Sequence, residues 1–409
     1  MRVLMITTSY PKFPGDVTAP VIEKIVLELA RRGHAVDLVL PRHPDLMLDG
    51  RDHGLPVRFF PFWAGSGKNP AWGYASSMRA DRELRPRALA LAPLVFLTGL
   101  ATLRRLVAEH RYDVAHAHWV LPNGPIAALA IAKDTPLVVS LHGSDIFVAE
   151  RLKLLGAVAR STFRRTGWVA ACASDLGERA VALGAERSRV TTLLHGVDPA
   201  DLAGGDDVDW RARAGVLPGE FFVVALGRLV AKKGFAHLLR AAAMLIASGV
   251  PVRVAIGGTG DLAGPLAAEV AALGIGDRVR LLGDVAHDHV GALFRAADVV
   301  AVPSVRDENG NVDGLPNVLL EGMAVGRPVV ASRIAGVPDV VEDECNGLLV
   351  APADDDALAT ALRRLQAEPA TRSRLGQGAL ETARSLSWEA YGDRLVAGYE
   401  RVIAERRRL

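Results

Sequence analysis

The chain has 409 residues, which suggests two or three domains, and half of them are hydrophobic, as in an ordinary globular protein. Its formal net charge is only +2 and it contains no dense run of lysine and arginine, so a nucleic-acid-binding protein is excluded. The two cysteines, Cys172 and Cys345, have no C-x-x-C spacing, which argues against a disulfide scaffold or zinc site and fits a reducing cytoplasm.

Strand-like and helix-like segments alternate through the first half of the chain. Residues 2 to 7, "RVLMIT", predict a buried first strand rather than a signal peptide, and a helical period follows from Val21 to Leu29 and ends at Gly33. The later apolar runs are "AVDLVL", "DVAHAH", "PLVVSLHG", "WVAACA" and "RVTTLL". Near-continuous apolar strands joined by helices indicate a parallel sheet covered on both faces, so residues 1 to 200 are predicted to form a doubly wound α/β domain.

The most apolar window lies at residues 88 to 103, "ALALAPLVFLTGLATL", and contains Pro93 and Gly99. It is shorter than the roughly 20 residues needed to span a bilayer, so no transmembrane helix is predicted. Two interpretations remain open: a buried domain helix, or a helix lying at an anionic membrane surface. The flanking cations on which the second interpretation depends are Arg82, Arg85, Arg87, Arg104 and Arg105.

The second half begins with a connecting segment, "GVDPADLAGGDDVDW", rich in glycine and aspartate. It contains a cluster of three aspartates, Asp206, Asp207 and Asp209, with no histidine nearby in the sequence, so a solvated loop is favoured and no metal site is predicted. The alternation then restarts with "FFVVALG", a helix over 235–247, "VRVAIGG", "VRLLG", "VVAVPS", a helix over 316–325, "PVVAS" and "GLLVAP". Residues 201 to 387 are therefore predicted to form a second doubly wound domain, followed by a helical tail over 388–409.

Chemically distinctive side chains follow several of these strands. Two such domains leave a cleft at the carboxyl ends of their strands, where open α/β sheets bind ligands. His142 ends a strand before a glycine, where its imidazole can hydrogen-bond a ligand hydroxyl. Arg228 and Lys233 follow the first strand of the second domain, and two cations there can neutralise a diphosphate. Taken alone, each could instead be an ordinary structural or surface residue.

The stretch "DGLPNVLLE" places one carboxylate before a helix, at Asp313, and another inside it, at Glu321. Pro316 is typical of a first helical turn. The free backbone N–H groups at the helix start would form an anion pocket between the two acids. The residues that carry these groups are Asn317, Val318 and Leu319.

Glycine-rich turns follow two other strands. "TTSYPKFPGD" contains Gly15 but not G-x-G-x-x-G, which counts against a dinucleotide-dependent dehydrogenase. "IGGTGDL" contains Gly258, which would allow close backbone approach to a ligand. This second turn lacks the Lys-Ser/Thr of a P-loop, so phosphotransfer from ATP is not expected.

The chain resembles the GT-B-fold glycosyltransferases of family 4, retaining enzymes whose C-terminal half is the group 1 glycosyltransferase domain. The resemblance covers nearly the whole chain through "YPKFPGD", "LARRGHAVDLVLP", "LHGSDIF", "LLHGVD", "GRLVAKKGF", "DGLPNVLLEGMAVGRPVVAS", "AGVPDVVEDECNGLLV" and "LSWEAY". It implies two Rossmann-like domains facing a cleft, with the acceptor held by residues 1–200 and a nucleotide-activated sugar by residues 201–387. It also implies that the helix over 388–409 returns to the first domain.

The resemblance also implies a role for each paired acid. Asp313 and Glu321 match the family's Glu-x7-Glu pair, with Asp in place of the first Glu. Asp313 looks like the acid near the transferred sugar, and Glu321 looks like the acid that accepts hydrogen bonds from the ribose hydroxyls.

The diphosphate would be held by a cationic clamp. Arg228 and Lys233 resemble that clamp, and Gly15 resembles part of a glycine loop over the phosphates, with Asp16 in place of that loop's second glycine. The cations and the helix start would stabilise the departing diphosphate without a metal or cofactor. No nucleophile stands out for a covalent intermediate, so attack on the face from which the diphosphate departs is expected, with His142 orienting the sugar.

The expected activity is sugar transfer from a UDP-, GDP- or similar nucleotide to a lipid-linked, polysaccharide or small-molecule acceptor. Such an enzyme of polysaccharide biosynthesis would be cytoplasmic or peripheral at the inner face of the membrane. Two alternatives remain open. A nucleotide-sugar epimerase of the same fold would need no acceptor, and a non-catalytic sugar-nucleotide-binding protein would bind the donor without turnover.

Overall fold

The computed structural model describes residues 1–13, 16, 18–48, 54–67, 72–74, 78–79 and 83–408. The chain divides into two units, the first made of Met1–His195 with Trp388–Leu409 and the second of Gly196–Ser387. The first break therefore lies at Gly196, within the glycine- and aspartate-rich segment and just before the boundary predicted at residue 201.

Each unit is built on a parallel sheet. The first unit's seven-stranded sheet has the order β3-β2-β1-β6-β7-β8-β9, and the second unit's six-stranded sheet has the order β12-β11-β10-β13-β14-β15. In both, the chain moves outward from the first strand and then crosses to its other side, as in the Rossmann order. The strands are β1 (Arg2–Ile6), β2 (Ala35–Pro41), β3 (Val57–Phe62), β4 (Met78–Arg79), β5 (Glu83–Leu84), β6 (Val114–His118), β7 (Leu137–Leu141), β8 (Thr166–Ala171), β9 (Val190–Thr192), β10 (Phe221–Leu226), β11 (Val252–Gly257), β12 (Val279–Gly283), β13 (Val299–Val302), β14 (Val329–Ser332) and β15 (Leu348–Val350).

Helices connect the strands and cover the sheets. They are α1 (Pro20–Arg31), α2 (Pro86–Glu109), α3 (Asn123–Ala130), α4 (Ser144–Arg151), α5 (Lys153–Arg165), α6 (Ser174–Ala182), α7 (Trp210–Ala214), α8 (Phe235–Ala247), α9 (Ala263–Ala272), α10 (His287–Ala296), α11 (Asn317–Ala324), α12 (Asp355–Ala367), α13 (Pro369–Ser385) and α14 (Trp388–Arg407). Short 3₁₀ turns lie at Arg187–Arg189, Pro199–Leu202, Ala231–Lys233 and Val337–Asp339. The described sheets and their connecting helices confirm the predicted α/β class.

Helix α14 packs within the first unit. Its Tyr391, Leu395 and Tyr399 are buried in the same core as the apolar face of α1. A Cβ atom at Gly398 would lie 2.2 Å from the ring of Trp168 in β8, so glycine lets the helix backbone approach that strand. The tail therefore contributes core residues to a sheet formed more than 200 residues earlier in the sequence.

Helix α2 runs without a break for 24 residues, through both Pro93 and Gly99. The prediction that this apolar segment is too short to span a bilayer is therefore wrong, because by length and composition alone the helix could cross a membrane. Gly99 lies against α3, since a Cβ atom there would be 3.3 Å from the side chain of Ile126. Glycine at this position allows close helix packing instead of interrupting the helix.

The second unit has its own apolar core beneath the strands and helices that flank β10. Its first helix, α8, spans Phe235–Ala247, as the sequence pattern predicts. The helix predicted over 316–325 begins at Asn317, because Pro316 has an extended backbone with φ −68° and ψ 120° and precedes the helix. Since β10 and β13 are neighbours in the sheet, the chain changes sides beside β10, where open α/β sheets place their ligands.

Candidate functional site

Two loops meet at the carboxyl edge of the second unit's sheet. One follows β10 and the other follows β13, and the amide of Val305 donates to the carbonyl of Lys232 at 2.9 Å. Gly234 has φ +67°, and a Cβ atom there would lie 1.9 Å from the carbonyl oxygen of Pro303. Only glycine permits this contact, which brings the lysines of the first loop to the acid of the second.

A three-residue ionic cluster results from this contact. Nζ of Lys233 lies 2.6 Å from Oδ2 of Asp313, and Nζ of Lys232 lies 3.1 Å from Oδ1. The Asp313 side chain is only 12% exposed. Burial by itself would raise the pKa of Asp313, but the two ammonium groups outweigh it and hold that pKa well below its usual value. The acid is therefore ionised and the cluster carries a net charge of about +1.

Glu321 has a contrasting environment on α11. Burial raises the pKa of this carboxyl to about 7, although the charge of Lys233 lowers it. Among the residues that the structure describes, none forms a hydrogen bond or an ion pair with the side-chain carboxyl of Glu321. A carboxyl group held in this way gains from a ligand that donates hydrogen bonds to its charged form.

The start of α11 supplies backbone donors next to these acids. The amides of Asn317 and Val318 have no backbone acceptor within the described part of the chain. The amide of Leu319 donates to the carbonyl of Pro316 at 3.1 Å, so the prediction that it is free is wrong. The first turn tightens in this way because Pro316 offers its carbonyl one residue before the helix.

Arg228 and Gly258 lie at the ends of β10 and β11. The side chain of Arg228 is exposed, two residues after β10. Gly258 has φ +132°, and a Cβ atom there would lie 1.9 Å from the carbonyl oxygen of Gly227. Packing between the two strand exits thus already requires glycine at 258, and its contact with a donor stays a prediction.

The carboxyl edge of the first unit's sheet carries a chain of histidines. Nδ1 of His118 lies 3.0 Å from Nε2 of His142, whose Nδ1 lies 3.3 Å from Nε2 of His195. Burial first, and then the neighbouring rings, hold the pKa of His142 well below its usual value. Burial also holds the pKa of His118 well below its usual value, so His118 and His142 are neutral near pH 7. Both nitrogens of His142 already have partners inside the unit.

The backbone around these three histidines is held by hydrogen bonds and by a ring contact. The amide of Trp119 donates to the carbonyl of Ser140 at 2.8 Å, and the Trp119 ring lies 4.9 Å from that of His142, centroid to centroid. Asp145, on α4, accepts a hydrogen bond from the amide of Val120 at 2.5 Å. These contacts hold together the turns that follow β6 and β7.

Gly15 lies outside the described residues. Its neighbour Asp16 accepts hydrogen bonds from the amide of Lys12 at 2.7 Å and from the hydroxyl of Thr18 at 2.7 Å. Burial would raise the pKa of Asp16, but Lys12 and Thr18 lower it below its usual value. The acid that replaces the family's second glycine therefore organises its own loop.

The aspartates of the connecting segment are bound separately. Asp206 pairs with Arg295 at 2.6 Å, Asp207 pairs with His289 at 3.1 Å, and Asp209 accepts from an amide in the first turn of α7. Within the described ranges, no three His, Cys, Asp or Glu side chains form a group that could hold a metal ion. The three carboxylates thus act as structural contacts of a loop.

Two Rossmann-ordered units are the architecture of the GT-B type, and the ionic cluster and the helix start lie at the switch point of the second unit. Family models agree: residues 19–201 match "Glycosyltransferase Family 4" and residues 207–382 match "Glycosyl transferases group 1". The chain belongs to the family 4 glycosyltransferases, which confirms the predicted family, fold and enzyme class.

Relatives extend over the whole chain. A protein from Catenulispora acidiphila named D-inositol 3-phosphate glycosyltransferase 1 is 30% identical, over 98% of this chain and 96% of that protein. Among solved structures, the Anabaena protein HepE in complex with UDP-glucose matches with TM-score 0.72 and 20% identity, over 97% of this chain and 98% of that one. Sucrose-phosphate synthase from Thermosynechococcus elongatus matches with TM-score 0.77 and 20% identity, over 99% of each.

Sequence reasoning missed three residues of these two edges. Lys232 shares Asp313 with Lys233, and its signal was the adjacent lysine in "AKKG". His118 was detectable because "VAHAH" places His116 and His118 on one face of a strand, where alternate residues point the same way. His195 has the same local signal as His142, since it follows a strand and precedes a glycine in "LLHGVD", but its contact with His142 joins residues 53 positions apart.

Proposed function

We propose that this glycosyltransferase transfers a sugar, with retention, from a nucleotide-activated donor bound at the carboxyl edge of the second unit's sheet. The observation that carries the proposal is the pairing of two lysines on Asp313 beside Glu321, a carboxyl whose burial raises its pKa to about 7. An anionic ligand with hydroxyl donors on its adjacent ring would satisfy both features. A nucleoside diphosphate has this combination.

In this proposal the positively charged lysine cluster binds the negatively charged diphosphate. Lys233 and Arg228 neutralise its oxygens, and the amides of Asn317 and Val318 donate to it from the start of α11. The amide of Leu319 already donates to the carbonyl of Pro316. We therefore propose that Leu319 contacts the donor through other atoms of this first turn. Asp313 keeps the two ammonium groups close together before the donor arrives.

Glu321 would accept hydrogen bonds from the two ribose hydroxyls. A carboxylate can accept both at once, and the bonds favour its charged form. Donor binding should therefore lower the pKa of Glu321 and release a proton near neutral pH. Gly258 and Gly15 complete the proposed donor contacts through their backbones.

The transfer step breaks the bond between the anomeric carbon and the diphosphate oxygen. The acceptor oxygen forms its bond on the same face, and its proton passes to the departing diphosphate. Lys233 and Arg228 stabilise the charge that develops on the leaving group, in a reaction that we propose needs no metal ion. Asp313 and His142 are assigned to the transferred sugar, Asp313 by its charge and His142 by a ring hydrogen bond that replaces its contact with His118 or His195.

The proposed donor is a UDP- or GDP-sugar, and the proposed acceptor is a polyol phosphate, a lipid-linked sugar or a polysaccharide. Support for the base comes from the similar fold of HepE, which is described with UDP-glucose, and support for a polyol phosphate comes from the name of the Catenulispora relative. We propose a cytoplasmic location because it fits nucleotide-sugar chemistry and because Cys172 and Cys345 do not form a disulfide with each other.

Calorimetry followed by product analysis tests the proposal. We expect UDP or GDP to bind, and the matching nucleotide-sugar to lose its sugar only when an acceptor such as D-inositol 3-phosphate is present. Arg363, exposed on α12, gives the matched control: Arg363→Ala should bind like the unaltered chain, whereas Lys233→Ala should not.

Three results would contradict the proposal. Conversion of the donor sugar without an acceptor would indicate an epimerase. Binding without turnover on any acceptor would indicate a sugar-nucleotide-binding protein. Full activity in chelator supports metal-independent transfer, and loss of activity that Mg²⁺ restores contradicts that part alone.

A further inference from the structure

Helix α2 presents an exposed apolar face. Leu89 is 55% exposed, Leu94 46% and Leu97 58%. Three smaller apolar residues on the same helix, Ala90, Pro93 and Ala101, are also exposed. At about 100° per residue these six positions fall within an arc of about 140°, so they form one stripe along the helix.

The charged residues of α2 before Glu109 are all arginines. Arg87, Arg104 and Arg105 are exposed, and the sequence has no acidic residue between Arg85 and Glu109. The helix thus combines exposed leucines with cations in the manner of helices that bind anionic lipid surfaces.

We propose that α2 docks this chain on an anionic membrane surface, with the helix axis in the plane of the interface. The leucine stripe would enter the boundary between headgroups and acyl chains, and the arginines at both ends would contact lipid phosphates. Charge complementarity selects this occupant, because a second copy of the chain would bring the same arginines together.

The helix meets the length needed to span a bilayer, but its packing favours the surface. Its opposite face is buried, through Ala88, Val95, Leu103 and Leu106. The hydroxyl of Thr98 donates to the carbonyl of Trp63 at 2.6 Å, and the helix contacts α3 and β3. Spanning would remove these contacts from the first unit, whereas lying flat keeps them.

Vesicle sedimentation tests the proposal with two matched pairs of variants. Vesicles of equal parts phosphatidylglycerol and phosphatidylcholine should pellet the protein, and vesicles of phosphatidylcholine alone should pellet much less. Leu97→Ser should weaken binding to the vesicles about tenfold, since it removes a leucine that the membrane would bury. Its control, Leu217→Ser in the second unit, changes a leucine that is 57% exposed and should bind normally.

The charge pair is Arg104→Glu with Arg105→Glu. Each arginine near an anionic surface contributes about fivefold, so the double variant should bind about 25-fold more weakly or worse. The control double variant, Arg363→Glu with Arg384→Glu, alters exposed arginines of the second unit and should bind normally. Without any substitution, binding should also fall as salt shortens the Debye length from about 8 Å to about 3 Å.

Distinct results would overturn the proposal. Equal pelleting of the unaltered chain and Leu97→Ser would show that the leucine stripe does not bind the membrane. Dimers that form without lipid, and that Leu97→Ser dissociates, would show that a second copy of the chain covers the leucine stripe. Binding that resists both high salt and alkaline carbonate indicates a spanning helix. The unfolding temperature of each variant should equal that of the unaltered chain, which shows that the substitution leaves the fold intact.

Discussion

The two units have the same strand order but opposite chemistry at the carboxyl edges of their sheets. The first unit presents imidazole rings, in which His142 is joined to His118 and His195. The second presents charges, in which Lys232 and Lys233 surround Asp313. The same order of strands therefore carries a group of buried histidines at the edge of one unit and a buried ionic cluster at the edge of the other.

This difference shows that strand order fixes where a site lies and the loops fix what it binds. Neutral imidazoles suit the hydroxyl groups of a sugar, because each nitrogen donates or accepts one hydrogen bond. Ammonium groups suit a diphosphate, because they neutralise its charge as the leaving group departs. The predictions below test each edge separately.

The largest effect is expected from Asp313→Asn, which leaves two mostly buried ammonium groups without a counter-charge. The free energy of unfolding should fall by about 3–5 kcal/mol, measured by denaturant titration. Asp313→Glu keeps the charge and should lose much less. Asp277→Asn, at an exposed carboxylate of the same unit, is the control, and an equal effect of both Asn variants would remove the ionic cluster from the comparison.

Substitution of the clamp tests whether the ionic edge serves transfer. Lys233→Ala and Arg228→Ala should each reduce turnover by about 10- to 1,000-fold, because each removes a donor that stabilises the leaving diphosphate. Initial rates at saturating donor give the measurement, with Arg363→Ala as control. Near-normal turnover in both variants would show that the clamp assignment is wrong.

Glu321 predicts a pH dependence. Burial raises its pKa to about 7 from 4.5, so between these values the folded chain holds a proton that the unfolded chain has lost. Its contribution to the free energy of unfolding therefore decreases as the pH rises through this range. Glu321→Gln should remove the decrease and be about 1–3 kcal/mol more stable at pH 8, in denaturant titrations.

The same residue should show the opposite effect in binding. Affinity for UDP should rise between pH 6 and pH 8 as Glu321 ionises, and Glu321→Gln should bind weakly with no such rise, as measured by calorimetry. A parallel rise in the variant would assign the pH dependence to another group.

The smallest effects are expected at the histidines of the first unit. His195→Asn and His118→Asn should each reduce kcat/KM for the donor by about 2- to 12-fold, the value of one lost hydrogen bond, by releasing the ring of His142. His43→Asn, at another buried histidine of the same unit, is the control. If either variant still lowers kcat/KM when His142 is already alanine, it does not act through His142.

Some elements could be predicted from local pattern and others could not. Helix α8 follows from its apolar period and has the predicted bounds. Strand β3, with Arg58 and Pro61 inside it, lacks a clear strand pattern and is held by its parallel pairing with β2. Helix α2 continues past Pro93 because tertiary packing supports it, a stabilisation that local propensity does not include.

The candidate site divides in the same way. The sequence identified Asp313, Glu321 and Lys233 as residues of one strand edge, because strand ends and helix starts follow from short-range patterns. It could not show that Lys232 shares the same carboxylate, nor that both nitrogens of His142 have partners within its unit. Those contacts join loops that are distant along the chain.

By itself, the sequence determined two α/β units, the family and the positions of the paired acids, since apolar periodicity and motif spacing are local properties. Only the tertiary structure decided which carboxyl is neutralised by lysines and which keeps a proton near neutral pH. It also decided which core residues α14 contributes to the first unit and that one face of α2 stays exposed. Burial and charge pairing depend on which distant segments touch, and no short window of sequence contains that information.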